Sequence, residues 1–112
     1  MKKIFFSLAL SVVSVSFSQA QVSPAEKLAQ HIADKMKDSL NLSPDKQRSI
    51  KQVNLELHNQ KMEARRQYAG SNTVGRYLQQ IENKRDSLYK TILSPEEYLL
   101  YKEKKRNLVS NN

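Results

Sequence analysis

The stretch that decides the fold is Leu42-Ser43-Pro44-Asp45-Lys46-Gln47, which recurs in altered form as Leu93-Ser94-Pro95-Glu96-Glu97-Tyr98. In both copies the serine can cap a helix, the φ angle of the proline suits a first helical turn, and acidic residues follow. Both copies therefore predict helix starts. Asp38-Ser39-Leu40 precedes the first copy and Asp86-Ser87-Leu88 precedes the second. We therefore expect two helical hairpin halves that share a junction.

The remaining helix boundaries follow from a capping box and a glycine turn. Ser23-Pro24-Ala25-Glu26 predicts another helix start, and Gly70 suits the left-handed position after a helix end. No segment of the chain shows the sustained alternation of a strand. Helices are predicted over residues 24–39, 44–69, 74–92 and 95–107. The predicted fold is all-α, a four-helix elongated helical hairpin arrangement in a single domain from residue 21 to residue 112.

The amino terminus has the pattern of a secretory signal peptide over residues 1–20. Two lysines follow Met1, an apolar run extends from Ile4 to Val15, and Ser18-Gln19-Ala20 places small residues before the expected cleavage site. The apolar run is shorter than the roughly 20 residues of a membrane span. The chain contains no cysteine, so neither a disulfide framework nor a lipid-anchored cysteine is expected. We expect a soluble, exported protein.

The charge of the exported chain limits its partners. The full sequence has 19 basic and 11 acidic side chains, and cleavage removes Lys2 and Lys3, which leaves 17 basic against 11 acidic residues, a net charge of +6. A basic surface attracts polyanions, but export argues against nucleic acid as the partner. Acidic lipids, lipopolysaccharide or acidic polypeptide segments fit better.

The second predicted helix carries a surface that is both basic and apolar. At 100° per residue, Arg48, Leu55, Met62 and Arg66 align on the side opposite the predicted core seam, and Lys51, His58 and Arg65 lie beside them. Such a surface could contact a partner chain. In the alternative interpretations, Leu55 and Met62 pack on the first or fourth helix within a solvated basic rim, or they form a dimer interface.

Enzymatic chemistry is not expected. The chain has two histidines, no cysteine, and only Gly70 and Gly75 as glycines, so it offers neither a converging catalytic set nor a phosphate-binding loop. His31 and His58 do not form a His-x3-His pattern, so we predict no metal site and no cofactor. Arg85 falls in the middle of an apolar helix face, where we expect it to pair with a carboxylate or to extend its charged end to solvent.

The paired motif resembles that of the LTxxQ family of periplasmic helical proteins, the Spy/CpxP-like chaperone and envelope-stress proteins. Leu42, Ser43 and Gln47 match the first motif, with serine in place of the usual threonine. Leu93 and Ser94 match the second, but Tyr98 stands where glutamine is expected. The resemblance implies an elongated four-helix fold that pairs into an antiparallel dimer, with a concave basic face that holds partly folded client proteins without ATP.

The resemblance implies two possible functions. The first is an ATP-independent periplasmic holdase that binds unfolded or misfolded envelope proteins in a stress response. Its client-binding residues would be Arg48, Lys51, Leu55, His58, Met62, Arg65 and Arg66. The alternative is a regulatory binding protein that contacts a membrane sensor kinase or an anti-sigma factor in envelope-stress or metal sensing. A chaperone binds many unrelated chains, whereas a regulator saturates with one partner.

Overall fold

A computed structural model of the protein describes residues 22–109, and all regular secondary structure among them is α-helical. The helices are α1 (Pro24–Leu40), α2 (Pro44–Gln67), α3 (Val74–Ile92) and α4 (Pro95–Val109). The all-α prediction is confirmed. None of these four helices combines the length and apolar character that crossing a bilayer requires. The predicted signal peptide, residues 1–20, lies outside the described residues.

Serine side chains cap three of the four helices. The hydroxyl oxygens of Ser23, Ser43 and Ser94 each accept a hydrogen bond of 3.2 Å from the backbone N–H three residues later. At Ser94 the cap is reciprocal, because the Glu97 carboxylate accepts the backbone N–H of Ser94 at 2.8 Å. Helix α3 begins after Thr73, which makes no such side-chain bond. Capping therefore defines both motif copies as helix starts.

Three helix ends differ from the predicted bounds, the first being α1, which ends at Leu40 rather than residue 39. Helix α2 ends at Gln67 rather than residue 69, because Tyr68 leaves the helical region with φ −112° and ψ 21°. Gly70, with φ 76°, then reverses the chain. Helix α4 continues to Val109 rather than residue 107. The longer α4 places Leu108 in the core, where it is only 3% exposed.

The four helices form a ring, in which the close backbone approaches are those of α1 with α2, α2 with α3, α3 with α4 and α4 with α1. Helix α2 lies beside α1 and α3, and α4 completes the ring by contacting both α1 and α3. The main core cluster lies at the end where the α1–α2 and α3–α4 connections meet, and all four helices and both connections contribute to it. Its buried members are Ile32, Ala33, Met36, Leu40, Leu42, Ile50, Tyr89, Leu93, Tyr101 and Leu108.

A second, smaller cluster lies toward the α2–α3 loop. Its buried members are Leu57, Ala64 and Ile81, which all come from α2 and α3. Beside it, the rings of Tyr68 and Tyr77 stack with centroids 4.0 Å apart and planes within 7° of parallel. Below, the motif end means the region of residues 42–47 and 93–98, and the loop end means the α2–α3 connection with this smaller cluster.

Candidate functional site

The two motif copies contact each other at the motif end. Leu42 and Leu93 are 4% and 7% exposed and belong to the same core cluster. Lys46 and Glu97 occupy equivalent motif positions, and their side chains form an ion pair of 2.5 Å. Partial burial favours a higher pKa for Glu97, but the hydrogen bonds from Lys46 and Ser94 outweigh burial and lower the pKa below its ordinary value. These leucines and this ion pair therefore join helices rather than form a binding surface.

The last motif position differs between the copies. The Gln47 side-chain amide donates a 2.7 Å hydrogen bond to Asp34 on α1. Tyr98 instead packs against the main core cluster, with its ring 6.1 Å from the ring of Tyr101 and 5.9 Å from the Lys90 ammonium. The tyrosine therefore makes a different set of contacts from the glutamine, although both link a motif to neighbouring structure.

Asp86 anchors α4 to α3, and its apparent sequence counterpart Asp38 is exposed. The Asp86 carboxylate accepts hydrogen bonds from the Tyr101 hydroxyl at 2.8 Å and from the ammonium groups of Lys105 at 2.8 Å and Lys102 at 3.3 Å. Partial burial favours a higher pKa for Asp86, but these three bonds outweigh it and hold the pKa below its ordinary value. The two Asp-Ser-Leu segments are therefore not structurally equivalent.

Four of the predicted client-binding residues form an exposed ridge along α2. This outer ridge consists of Arg48, Leu55, Met62 and Arg66. Met62 is 53% exposed and Leu55 is half-buried, and neither belongs to a core cluster within the described residues. Leu55 lines a groove between α2 and α3, and more than half of the Met62 side chain is exposed, so neither residue is buried in the way that packing on the fourth helix predicts.

The charges of the outer ridge are largely balanced along α2 itself. Arg48 pairs with Asp45, and Arg66 pairs with Glu63, each across one helical turn. All four side chains are more than half exposed, so solvent screens these pairs and their net contribution to stability is small. Lys51, beside the ridge, is half-buried. The outer ridge is therefore less basic than the sequence count suggests.

Leu55 borders an open groove between α2 and α3. This outer groove has a volume of about 700 Å³ and is lined by both apolar and polar side chains. The apolar side chains that line it are Leu55, Ala64, Tyr68, Tyr77 and Ile81. The groove and the outer ridge together offer adjacent apolar surface that residues 22–109 leave uncovered.

His58 and Arg65, also predicted to bind clients, line a cavity on the other side of α2. The polar cavity, as it is called below, has a volume of about 330 Å³ and lies between α1, α2, α3 and the end of α4. Leu28, Ile32 and Val109 contribute to its apolar wall. Its polar wall consists of Asn54, His58, Lys61, Arg65, Glu82 and Arg85. The predicted seven-residue surface is thus divided between two sides of the helix.

A buried polar network supports the wall of this cavity. Arg85 is 7% exposed and donates to the Glu82 carboxylate, which also accepts from Lys61. Asn54 is 3% exposed, and its side-chain amide donates to the Ile50 carbonyl at 2.8 Å and to the Tyr89 hydroxyl oxygen at 2.6 Å. These contacts tie α2 to α3 between the two apolar clusters.

The cavity wall is electropositive. Partial burial, together with the nearby cations Arg85 and Arg65, lowers the pKa of Lys61 below its ordinary value. Burial also raises the pKa of Tyr89 to about 12, so its hydroxyl stays protonated at neutral pH. Two buried polar atoms of the network, Asn54 Oδ1 and Arg85 Nε, have no hydrogen-bond partner among residues 22–109.

Sequence reasoning missed Asn54 and Tyr89. Asn54 lies four residues after Ile50 and three before Leu57, and Tyr89 lies four residues after Arg85, so both fall on core-facing stripes. A polar residue inside an apolar helical stripe was the signal that could have identified Asn54, as it did for Arg85. Their pairing across α2 and α3 depends on helix register, which the stripe does not specify.

No metal centre is evident in this part of the chain. Nowhere in residues 22–109 do three His, Cys, Asp or Glu side chains lie close enough to share an ion. The chain matches no known protein-family model, no curated protein and no solved structure. The likeness to the LTxxQ family therefore depends on the residues quoted above.

Proposed function

We propose that this protein is an exported, ATP-independent holdase that binds unfolded or partly folded envelope proteins through the outer ridge and the outer groove. The observation that carries the proposal is the apolar surface of Met62, which is 53% exposed, and of the half-buried Leu55, beside the apolar side chains that line the outer groove. Contiguous apolar surface of this kind is typical of interaction sites. The proposal includes no catalytic step.

The chemistry of this surface suits weak binding to many chains. Methionine is unbranched and polarisable, so Met62 can adapt to side chains of different shape. Tyr77, at 36% exposed, presents an aromatic face next to the groove. Glu56, Glu63 and Lys84 at the groove edge provide charges of both signs. A mixed surface of low specificity is what a general holdase requires.

The resemblance to the LTxxQ family contributes the remaining parts of the proposal. These are residence in the periplasm after signal-peptide cleavage, a role in envelope stress, and pairing into an antiparallel dimer. Helix α2 has 24 residues and α1 has 17, so at 1.5 Å per residue α2 extends beyond α1 by roughly 10 Å. A second copy would have room to pack along this uncovered length.

The test is suppression of aggregation, followed by light scattering, for several unrelated denatured proteins. We expect the wild-type protein to protect all of them at near-equimolar ratios. The double variant Leu55→Ser/Met62→Ser should remain helical and lose most of this protection, because serine removes the apolar contact. Leu99→Ser is the matched control, since Leu99 is 65% exposed but lies on α4, away from the groove.

Two results would contradict the proposal. One is a well-folded wild-type protein that protects none of the clients. The other is equal loss of protection in the Leu99→Ser control and the double variant, because the outer ridge would then have no special role. Saturable binding to a single membrane protein, without protection of unrelated clients, would favour the regulatory function instead.

A further inference from the structure

The polar cavity combines an excess of positive charge with an apolar wall. Lys61, Arg65 and Arg85 line it, and Glu82 is the one carboxylate that residues 22–109 contribute to the lining, so these residues supply three cations against one anion. Glu82 already accepts from Lys61 and Arg85, whereas Arg65 has no ion-pair partner within residues 22–109. This arrangement favours an anionic group in the cavity.

The two buried polar atoms without a hydrogen-bond partner indicate which hydrogen-bonding groups the ligand carries. Arg85 Nε is a donor that can bind a carboxylate oxygen, and Asn54 Oδ1 is an acceptor that requires an N–H or O–H donor. Both residues are more than nine-tenths buried and line the cavity, and the two atoms themselves have less than 1 Å² of accessible surface, so a ligand in the cavity bonds to them once these side chains rotate toward it. An unpaired buried polar atom is costly, so a ligand that supplies both partners gains binding energy from each. A carboxylate next to an N–H donor meets this requirement.

The opposite wall adds a requirement for an apolar group. Leu28 and Ile32 of α1 and Val109 of α4 face the polar wall across the cavity. A volume of about 330 Å³ lies at the lower end of the range of roughly 300–1,000 Å³ for ligand pockets, so the bound group is small. The carboxyl terminus of a polypeptide provides a carboxylate, a backbone N–H and one side chain in this compact arrangement.

We propose that the polar cavity binds the carboxyl terminus of a polypeptide whose last side chain is apolar. The terminal carboxylate lies near Arg85, Lys61 and Arg65, the last backbone N–H donates to Asn54 Oδ1, and the side chain packs on the α1 wall. The cavity and the outer groove lie on different sides of α2, so this binding does not depend on the holdase function. Short peptides test it without any aggregating client.

The experiment is a titration of the ¹⁵N-labelled protein, expressed from the full-length sequence, with ligands that differ by one group. The main probe is acetyl-alanyl-alanyl-leucine, compared with its carboxamide, with N-acetylleucine and with 4-methylpentanoate. The peptide acid should shift the amide resonances of residues that line the cavity. The carboxamide should bind at least about tenfold more weakly than the peptide acid, because it lacks the charge, and 4-methylpentanoate should bind about threefold more weakly than N-acetylleucine, because it lacks the N–H donor.

Adjacent arginines supply a matched pair of variants. Arg65→Gln removes a cation of the cavity wall, and we expect it to weaken binding of the peptide acid about threefold. Arg66→Gln changes the next residue, which pairs with Glu63 on the exposed side, and should change affinity by less than about twofold. Arg85 is not replaced in this test, because its loss leaves a partly buried Glu82 with one fewer partner.

Three outcomes would overturn the proposal. Equal affinity for the acid and the carboxamide would show that the cations do not recognise the terminal charge. Binding of N-acetylleucine without binding of the tripeptide would assign the cavity to a small molecule rather than to a chain terminus. Resonance shifts along Leu55 and Met62, with none at the cavity, would place the peptide on the outer ridge.

Discussion

The motif end and the loop end of the bundle differ in how many helices contribute buried residues to the core. At the motif end all four helices and both connections contribute to a cluster of ten buried residues, and an ion pair joins the two motif copies. At the loop end only α2 and α3 contribute, with three buried residues and a stacked tyrosine pair. A short repeated motif thus concentrates the core at one end and leaves apolar surface uncovered toward the other.

The largest difference in stability between the two ends should be measured in leucine-to-alanine variants. We expect Leu42→Ala and Leu93→Ala each to lower the free energy of unfolding by about 2–5 kcal/mol, because both side chains are buried in the main cluster. Leu78→Ala, at a half-buried site beside the smaller cluster, should cost about 1 kcal/mol. Urea unfolding followed by circular dichroism measures all three. An equal cost at Leu78 would contradict the contrast between the ends.

The helix caps should give a smaller, graded effect. Ser94 is half-buried and Ser43 is exposed, so we expect Ser94→Ala to cost about 1–2 kcal/mol and Ser43→Ala about 0.5–1 kcal/mol. Thr73→Ala at the loop end is the control. Thr73 makes no side-chain cap bond, and its hydroxyl is hydrogen-bonded to the Ser71 hydroxyl at 2.7 Å on the surface, so its loss should lower the thermal midpoint by less than the loss of either serine cap. If both serine variants unfold at the wild-type temperature, the motifs do not act as caps.

The smallest expected effect is a sensitivity to acid that originates in Glu97 at the motif end and in Asp86 on α3. The pKa values of Asp86 and Glu97 are lowered in the folded chain, so folding favours their ionised forms. Their contribution is complete above the unfolded pKa values of about 4 and is lost as the pH falls through the lower folded values. The urea midpoint should therefore decrease as the pH falls below about 4.

Variants of these two carboxylates test the origin of the acid response. The double variant Asp86→Asn/Glu97→Gln should be less stable at pH 7 and should show a flatter decline on acidification. Glu63→Gln is the control, because Glu63 is exposed to solvent near the loop end and its pair with Arg66 is screened. A decline that is as steep in the double variant as in the wild type would assign the acid response to other groups.

Several parts of the fold could be predicted because they depend on neighbouring residues in the chain. The caps of Ser43 and Ser94 need only a backbone N–H three residues away, and the proline that follows each serine favours the helical φ angle. The end of α2 was placed two residues too late, since its position depends on the conformation of Tyr68. The two Asp-Ser-Leu segments suggested that the two halves of the chain are alike, but they occupy different positions in their helices. Helix α1 ends at Leu40, whereas α3 continues four residues past Leu88 to Ile92.

The candidate surface was predicted only in part. Helical periodicity placed Leu55 and Met62 on the side of α2 opposite the core seam, and in the structure Met62 is exposed and Leu55 is half-buried outside both core clusters. It also grouped His58 and Arg65 with them, although these two residues line the polar cavity. The boundary between two neighbouring faces of a helix depends on where other helices pack against it. Helical periodicity does not specify those packing positions.

What can be read from the residues alone is therefore local: an all-α chain, helix starts at three capped serines, and the apolar stripes that become the core. The ion pair of Lys46 with Glu97 and the bond of Asn54 to Tyr89 join residues that are 51 and 35 positions apart, and the residues that line the polar cavity are up to 84 positions apart. Such contacts depend on the register and order in which helices pack, and many registers satisfy the same stripe of apolar residues.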